Sequence, residues 1–174
     1  KEMVQVNRGD GLGVSEIKKL GINQIIISTE KNQVVSTRAK KLNIFCLQGI
    51  ENKKVALIDY CQKNDYELQY VAYVGNDTND YEAMNLVHLR ICPKDAQNSI
   101  KEICHLVVDK NGGEGVIREI LFRLNGLSDL QMSSYFIQVN SKVVRDRKTD
   151  RHDPDSILGY LAGVLKWLHG GSLL

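Results

Sequence analysis

One feature constrains this chain more than any other: short apolar runs alternate with segments of helical spacing from residue 14 to residue 124. Val14 to Leu20 reads as a helix stopped by Gly21, since glycine takes the left-handed turn at a helix end at little cost. Ile22 to Ser28 (INQIIIS) is apolar enough for a strand buried on both faces. Gln33 to Leu42 has helical composition, and Ile44 to Gln48 reads as the next strand. Lys53 to Asn64 sets Val55, Leu57, Ile58 and Cys61 at amphipathic-helix spacing. Tyr70 to Val74 predicts a strand, and Asp80 to Leu86 begins the helix after it. Leu89 to Cys92 and Leu106 to Val108 read as strands on either side of a helix at Asp95 to Ile103. Glu114 to Leu124 is amphipathic, with Val116, Ile117, Ile120 and Leu121 on one stripe. Strands and helices alternating at this pitch predict an α/β fold, a doubly wound parallel sheet of Rossmann-like type. Such sheets bind ligands at the carboxyl ends of their strands. Ser28, Thr29 and Glu30, then Gln48 and Gly49, then Gly75, Asn76 and Asp77 therefore share one rim.

The character changes after Asn125-Gly126. Residues 127–174 hold a strand-like FIQV (Phe136 to Val139), a charge-dense stretch from Lys142 to Asp155 and an apolar helix candidate, Ile157 to Leu168. The division is thus a domain over 1–125 and a tail of unassigned role over 126–174.

Composition narrows the function. Of 174 residues, 43% are hydrophobic, and 23 basic residues face 21 acidic ones, a net charge of +2. That apolar content argues against disorder, and so small a charge gives no reason to expect nucleic acid or an anionic membrane as partner. No apolar run approaches the roughly 20 residues that span a bilayer. Cys46, Cys61, Cys92 and Cys104 are scattered without a CxxC pair, the usage of free thiols in a reducing cytoplasm.

Four places could carry chemistry. In Val74-Gly75-Asn76-Asp77-Thr78-Asn79-Asp80 the glycine allows a tight turn. Asn76, Asp77 and Asp80 then offer hard oxygen ligands suited to Mg²⁺; an Asx-rich turn capping the next helix has the same composition. Ile27-Ser28-Thr29-Glu30-Lys31 places hydroxyls at a strand end before a helix, a phosphate cradle or a simple N-cap. Gln48-Gly49-Ile50-Glu51-Asn52-Lys53 brings a lysine to a helix start, where it neutralises a phosphate or is merely solvated. Asn111-Gly112-Gly113-Glu114-Gly115, followed by Arg118, is a loop able to reach a ligand or only a connection.

Taken together, VAYVGNDTND, the hydroxyl after IIIS, the lysine of QGIENK and the GGEGVIRE segment resemble the haloacid dehalogenase superfamily. The similarity is to its capless branch of sugar acid phosphate phosphatases, and to the same module at the C-terminus of acylneuraminate cytidylyltransferases. It covers about residues 1 to 125. It implies a Mg²⁺-dependent phosphomonoesterase acting on a phosphorylated, sialic-acid-like sugar acid. Ser28 then binds the transferring phosphoryl group, Lys53 offsets its charge, and the metal lies at Asn76 to Asp80. Thr29, Glu30 and Gly49 would border the substrate. Arg8, within Asn7 to Gly11, belongs to a segment before the first long helix and near the substrate. Gly113 and Arg118 fall in a loop that closes over a neighbouring subunit's site in tetrameric relatives, so the resemblance implies a homo-oligomer.

Three departures qualify it. The family's nucleophile is an aspartate of a DxD motif on the first strand, with a second aspartate as acid and base; both precede the point where this chain begins. Asn76 stands where a metal-binding aspartate is usual. Glu30-Lys31 replaces an arginine, which favours the sialic-acid-type branch. The expectation is a phosphatase-type domain lacking its first strand, or a non-catalytic oligomerisation domain of a cytidylyltransferase.

Overall fold

The structure, a computed structural model, describes residues 7–126. The first helix, α1 (Arg8–Lys19), starts six residues earlier than its apolar spacing indicates. Asn7 is extended and its side chain accepts from the Gly9 N–H at 2.6 Å, an N-cap. Arg8 is therefore the first residue of the helix and not part of a segment before it. Glycines at 9, 11 and 13 are poor helix formers, and the reason they are tolerated is tertiary. A Cβ on Gly13 would lie 3.2 Å from the backbone nitrogen of Arg118 and 3.3 Å from its Cα. That close approach lets Asp10 Oδ1 accept from the Ile117 and Arg118 N–H groups at 2.8 and 3.1 Å, capping a helix more than a hundred residues away.

The alternation then follows as read, with most elements a little shorter. They run β1 (Ile25–Ser28), α2 (Val34–Leu42), β2 (Phe45–Gln48), α3 (Lys53–Lys63) and β3 (Ala72–Val74). After these come α4 (Tyr81–Met84), β4 (Leu89–Pro93), α5 (Asn98–Ile103), β5 (Leu106–Val108) and α6 (Val116–Gly126). Two expected end residues fall in tight turns of 3₁₀ helix instead: Tyr70, read as the start of a strand, lies in Leu68–Tyr70, and Asp80, read as the start of the next helix, lies in Thr78–Asp80. Asp95 lies outside α5, and its Oδ1 accepts from the Gly112 N–H at 2.9 Å.

Every strand pair is parallel. The described strands form two pieces, β1–β2 and β3–β4–β5. Alternation along β4 shows how the second piece is covered. Cys92 joins the core made by α3, α4 and α5 with Leu57, Cys61, Met84 and Ile100. Its neighbour Ile91 points the other way, to Val108, Val116 and Ile120. Helices therefore cover both faces, as a doubly wound fold requires. The expectation for Ile22 to Ser28 fails in one respect: the strand it forms, Ile25–Ser28, has all four residues half-buried, not buried on both faces. Helix α3 packs on β1 and on α4, spanning the two sheet pieces. All four cysteines are free thiols, and no described helix is long and apolar enough to cross a membrane. The strand at 136–139, the charged stretch and the helix at 157–168 lie outside the described residues.

Candidate active site

The site is built where the carboxyl ends of β1 and β3 meet the first turn of α3. Asn52 caps that helix, accepting from the Val55 N–H at 3.0 Å, so Lys53 is its first residue. An ammonium beside a helix N-terminus opposes the helix dipole and needs a counter-charge, which is Asp80. Lys53 Nζ lies 2.7 Å from Asp80 Oδ1, with side-chain exposures of only 10% and 4%. This is a buried ion pair, the kind whose rupture costs about 3–5 kcal/mol because one charge is stranded.

Asp80 is held on every side. Its Oδ1 also accepts from the Tyr73 hydroxyl at 2.9 Å. Its Oδ2 accepts from the Asn76 and Asp77 N–H groups at 3.0 and 3.2 Å. The backbone must turn tightly for this, and Gly75 allows it: a Cβ there would stand 2.8 Å from both Asp80 Cβ and Met84 Sδ. The sequence puts Asp80 among the cation ligands. In the structure its acceptor positions are filled from within the protein, so it anchors the loop and the lysine instead. Burial first, then the nearby Asp80 charge and hydrogen bond, push the Tyr73 hydroxyl's pKa up. Tyr73 therefore stays a donor across the working pH range.

On the rim, Asn79 Oδ1 accepts from Lys53 Nζ at 3.1 Å, and its Nδ2 reaches toward Thr29 Oγ1 at 3.5 Å. A chain of contacts thus runs Tyr73, Asp80, Lys53, Asn79, Thr29, from the core beneath β3 to the end of β1. The loops after β1 and β2 are stitched together nearby. Ile50 N–H donates to the Ser28 carbonyl at 2.9 Å, and Gly49 N–H to the Glu30 carbonyl at 3.1 Å. Ser28 Oγ accepts from the Glu30 N–H at 3.1 Å, leaving its own proton to donate. The Glu30 carboxylate caps the Asn32 N–H at 2.8 Å. Arg8 and Arg118, both exposed, form a second group at the first turns of α1 and α6, where the Arg118 stem crosses Gly9. Gly113, with φ of 76°, precedes α6 in the same loop.

The metal expectation can be tested against the donors. Asn76 and Asp77 are exposed beyond β3, and one Asp77 oxygen accepts from the Thr78 N–H at 2.7 Å. Among the described residues no group of three acidic, histidine or cysteine side chains could hold an ion. These residues do not by themselves fit a Mg²⁺ site, which prefers six oxygens around it.

Sequence reasoning missed Tyr73 and Asn79. A tyrosine in an otherwise apolar strand needs a partner for its hydroxyl, and that need was a usable signal. Asn79 gives none, since asparagine is ordinary in a turn.

The fold agrees with comparisons to known proteins. The sequence profile of the haloacid dehalogenase-like hydrolases matches residues 14–120, more than half of the chain. The chain belongs to that family. It is 32% identical over 121 residues to 3-deoxy-D-manno-octulosonate 8-phosphate phosphatase of Salmonella typhi, covering 69% of this chain and 64% of that protein. It is 30% identical over 130 residues to N-acylneuraminate cytidylyltransferase of Oncorhynchus mykiss, covering 68% of this chain and 28% of that one. The chain therefore spans less than two thirds of either relative. The octulosonate phosphatase of Moraxella catarrhalis, solved with magnesium, phosphate and its sugar acid, superposes with a TM-score of 0.69 at 27% identity. That match covers 77% of this chain and 78% of the other.

Proposed function

We propose that this haloacid dehalogenase-like chain forms most of a phosphomonoesterase site for a phosphorylated, sialic-acid-like sugar acid, completed by an acidic nucleophile that the described residues do not supply. The observation that carries the reading is the Lys53 ammonium, almost buried, where the ends of β1 and β3 converge. With two acceptors on it, one N–H remains for a phosphoryl oxygen, and charge-assisted hydrogen bonds of this kind are among the strongest available. Ser28 and Thr29 add hydroxyl donors beside it. Gly49 and Glu30 fix the loop that carries them, and in this reading Arg8, Gly113 and Arg118 would border the sugar acid.

Two further features support completion by a strand. Among the described strands, β1 pairs only with β2, and β3 only with β4. Their unpaired edges leave room for a parallel strand whose carboxyl end would reach Lys53. An aspartate there would be the nucleophile, and would join Asn76 and Asp77 as the carboxylate a Mg²⁺ site requires. The relatives of this type support a sugar acid phosphate as substrate.

The test is phosphate release by the product of the complete gene, assayed on octulosonate and nonulosonate phosphates with and without Mg²⁺. Metal-dependent turnover that falls at least about a thousandfold in Lys53→Ala is expected. No turnover on any sugar acid phosphate would overturn the reading.

A second reading has its own support: the cytidylyltransferase relative, together with the neutral Asn76 and the incomplete donor set, fits a non-catalytic assembly domain. Sedimentation of the complete protein with and without residues 1–125 tests it. An unchanged oligomeric state would exclude it.

A further inference from the structure

We propose that Asn79 is a positioning residue that holds the Lys53 ammonium at the rim, where it can meet an anion; the proposal rests on the phosphate-site reading above. Asp80 draws Nζ toward the core with a 2.7 Å contact. On its own that pull would fold the lysine onto the carboxylate and let it swing about one contact. The Asn79 oxygen, 3.1 Å from Nζ, opposes it from the solvent side. Two acceptors on different sides fix both the place of Nζ and the direction of its third N–H.

The amide orientation follows from its neighbours. An ammonium only donates, so the atom facing it is the oxygen, and the amide nitrogen then faces Thr29 Oγ1, which can accept. The Thr29 contact is long at 3.5 Å and serves only to steady the amide. Asparagine also supplies an acceptor without a charge. Lys53 and Asp80 together are neutral, and the Asn79 amide adds no negative charge beside the ammonium. An aspartate at 79 would hold Nζ equally well and repel the ligand. Holding the lysine and admitting the anion are thus separable properties of this one side chain.

The experiment uses the exposed site, where substitution leaves the fold intact: Asn79→Ala and Asn79→Asp are compared with wild type. The first readout is hydrogen exchange at the Lys53 ammonium by ¹⁵N NMR without ligand. About tenfold faster exchange is expected in Asn79→Ala, and wild-type exchange in Asn79→Asp. The second readout is inorganic phosphate binding by calorimetry, weakened about tenfold in Asn79→Ala and more in Asn79→Asp. Unchanged exchange in Asn79→Ala would overturn the positioning role whatever phosphate does. The expected exchange pattern with no phosphate binding in wild type would keep that role and overturn the phosphate-site reading.

Discussion

The two sheet pieces carry the same kind of sequence and are held very differently. IIIS in β1 is more apolar than AYV in β3, yet β1 has no fully buried residue. The β3–β4–β5 piece contains Cys92 and Val108 at 0% exposure and Ile91 at 2%. Burial is thus a property of what lies on a strand's faces and edges, not of its composition. The rim inherits the contrast. Beyond β3, a carboxylate with four donors pins the loop; beyond β1, the loop is held by backbone bonds and exposed side chains. A site with one fixed wall and one adjustable wall suits a lysine aimed from the fixed side at a ligand admitted on the other.

The largest effect expected from breaking this contrast is at its fixed wall. Lys53→Met should cost about 4 kcal/mol in urea unfolding, because Asp80 is left charged and buried. Lys63→Met, which opens the exposed pair with Asp59 on the same helix, should cost under about 0.5 kcal/mol. Equal losses would mean that the Lys53 pair is not a buried one.

Next comes the sheet itself. Ile91→Ala should cost about 3 kcal/mol and Ile26→Ala about 1 kcal/mol, both by chemical denaturation. Similar values would erase the distinction between the two pieces. Smaller again, Tyr73→Phe removes one of four donors to Asp80 and should cost about 1.5 kcal/mol; a neutral result would show that Lys53 and the two backbone N–H groups suffice.

A different kind of effect comes with pH. His105 accepts the Arg90 N–H at 3.1 Å, and burial first, then the charges of Arg90 and His88, lower its pKa from 6.5 to about 4. Between those values the unfolded chain binds a proton that the folded chain refuses, so stability is full above pH 6.5 and is lost as pH falls toward 4. The midpoint should drop by about 10 °C over that window. In His105→Asn this contribution disappears, and a curve of unchanged shape would assign the acid sensitivity elsewhere.

Element types were legible because periodicity reports which face is wet. β5 matches residue for residue, and most other boundaries shift by one to three positions. What was hidden depends on distant partners. The apolar spacing starts the first helix only at Val14, and what holds the glycine-rich turns from Arg8 to Gly13 in a helix is the distant backbone of α6. Likewise the sequence shows that Asp77 and Asp80 are acidic, but not that Asp80 turns inward to Tyr73 and Lys53. Asn79 shows nothing until α3 and β1 are beside it.

The Asp10 cap on α6 has a consequence for how the chain reaches this state. It joins residues 107 and 108 positions apart, and closing a loop of that length costs about 4 kcal/mol of chain entropy. Such a contact forms only after the intervening strands and helices have shortened the path between its ends. Asp10 is therefore a long-range latch, tying the glycine-rich helix to the first turn of α6, the turn that carries Arg118.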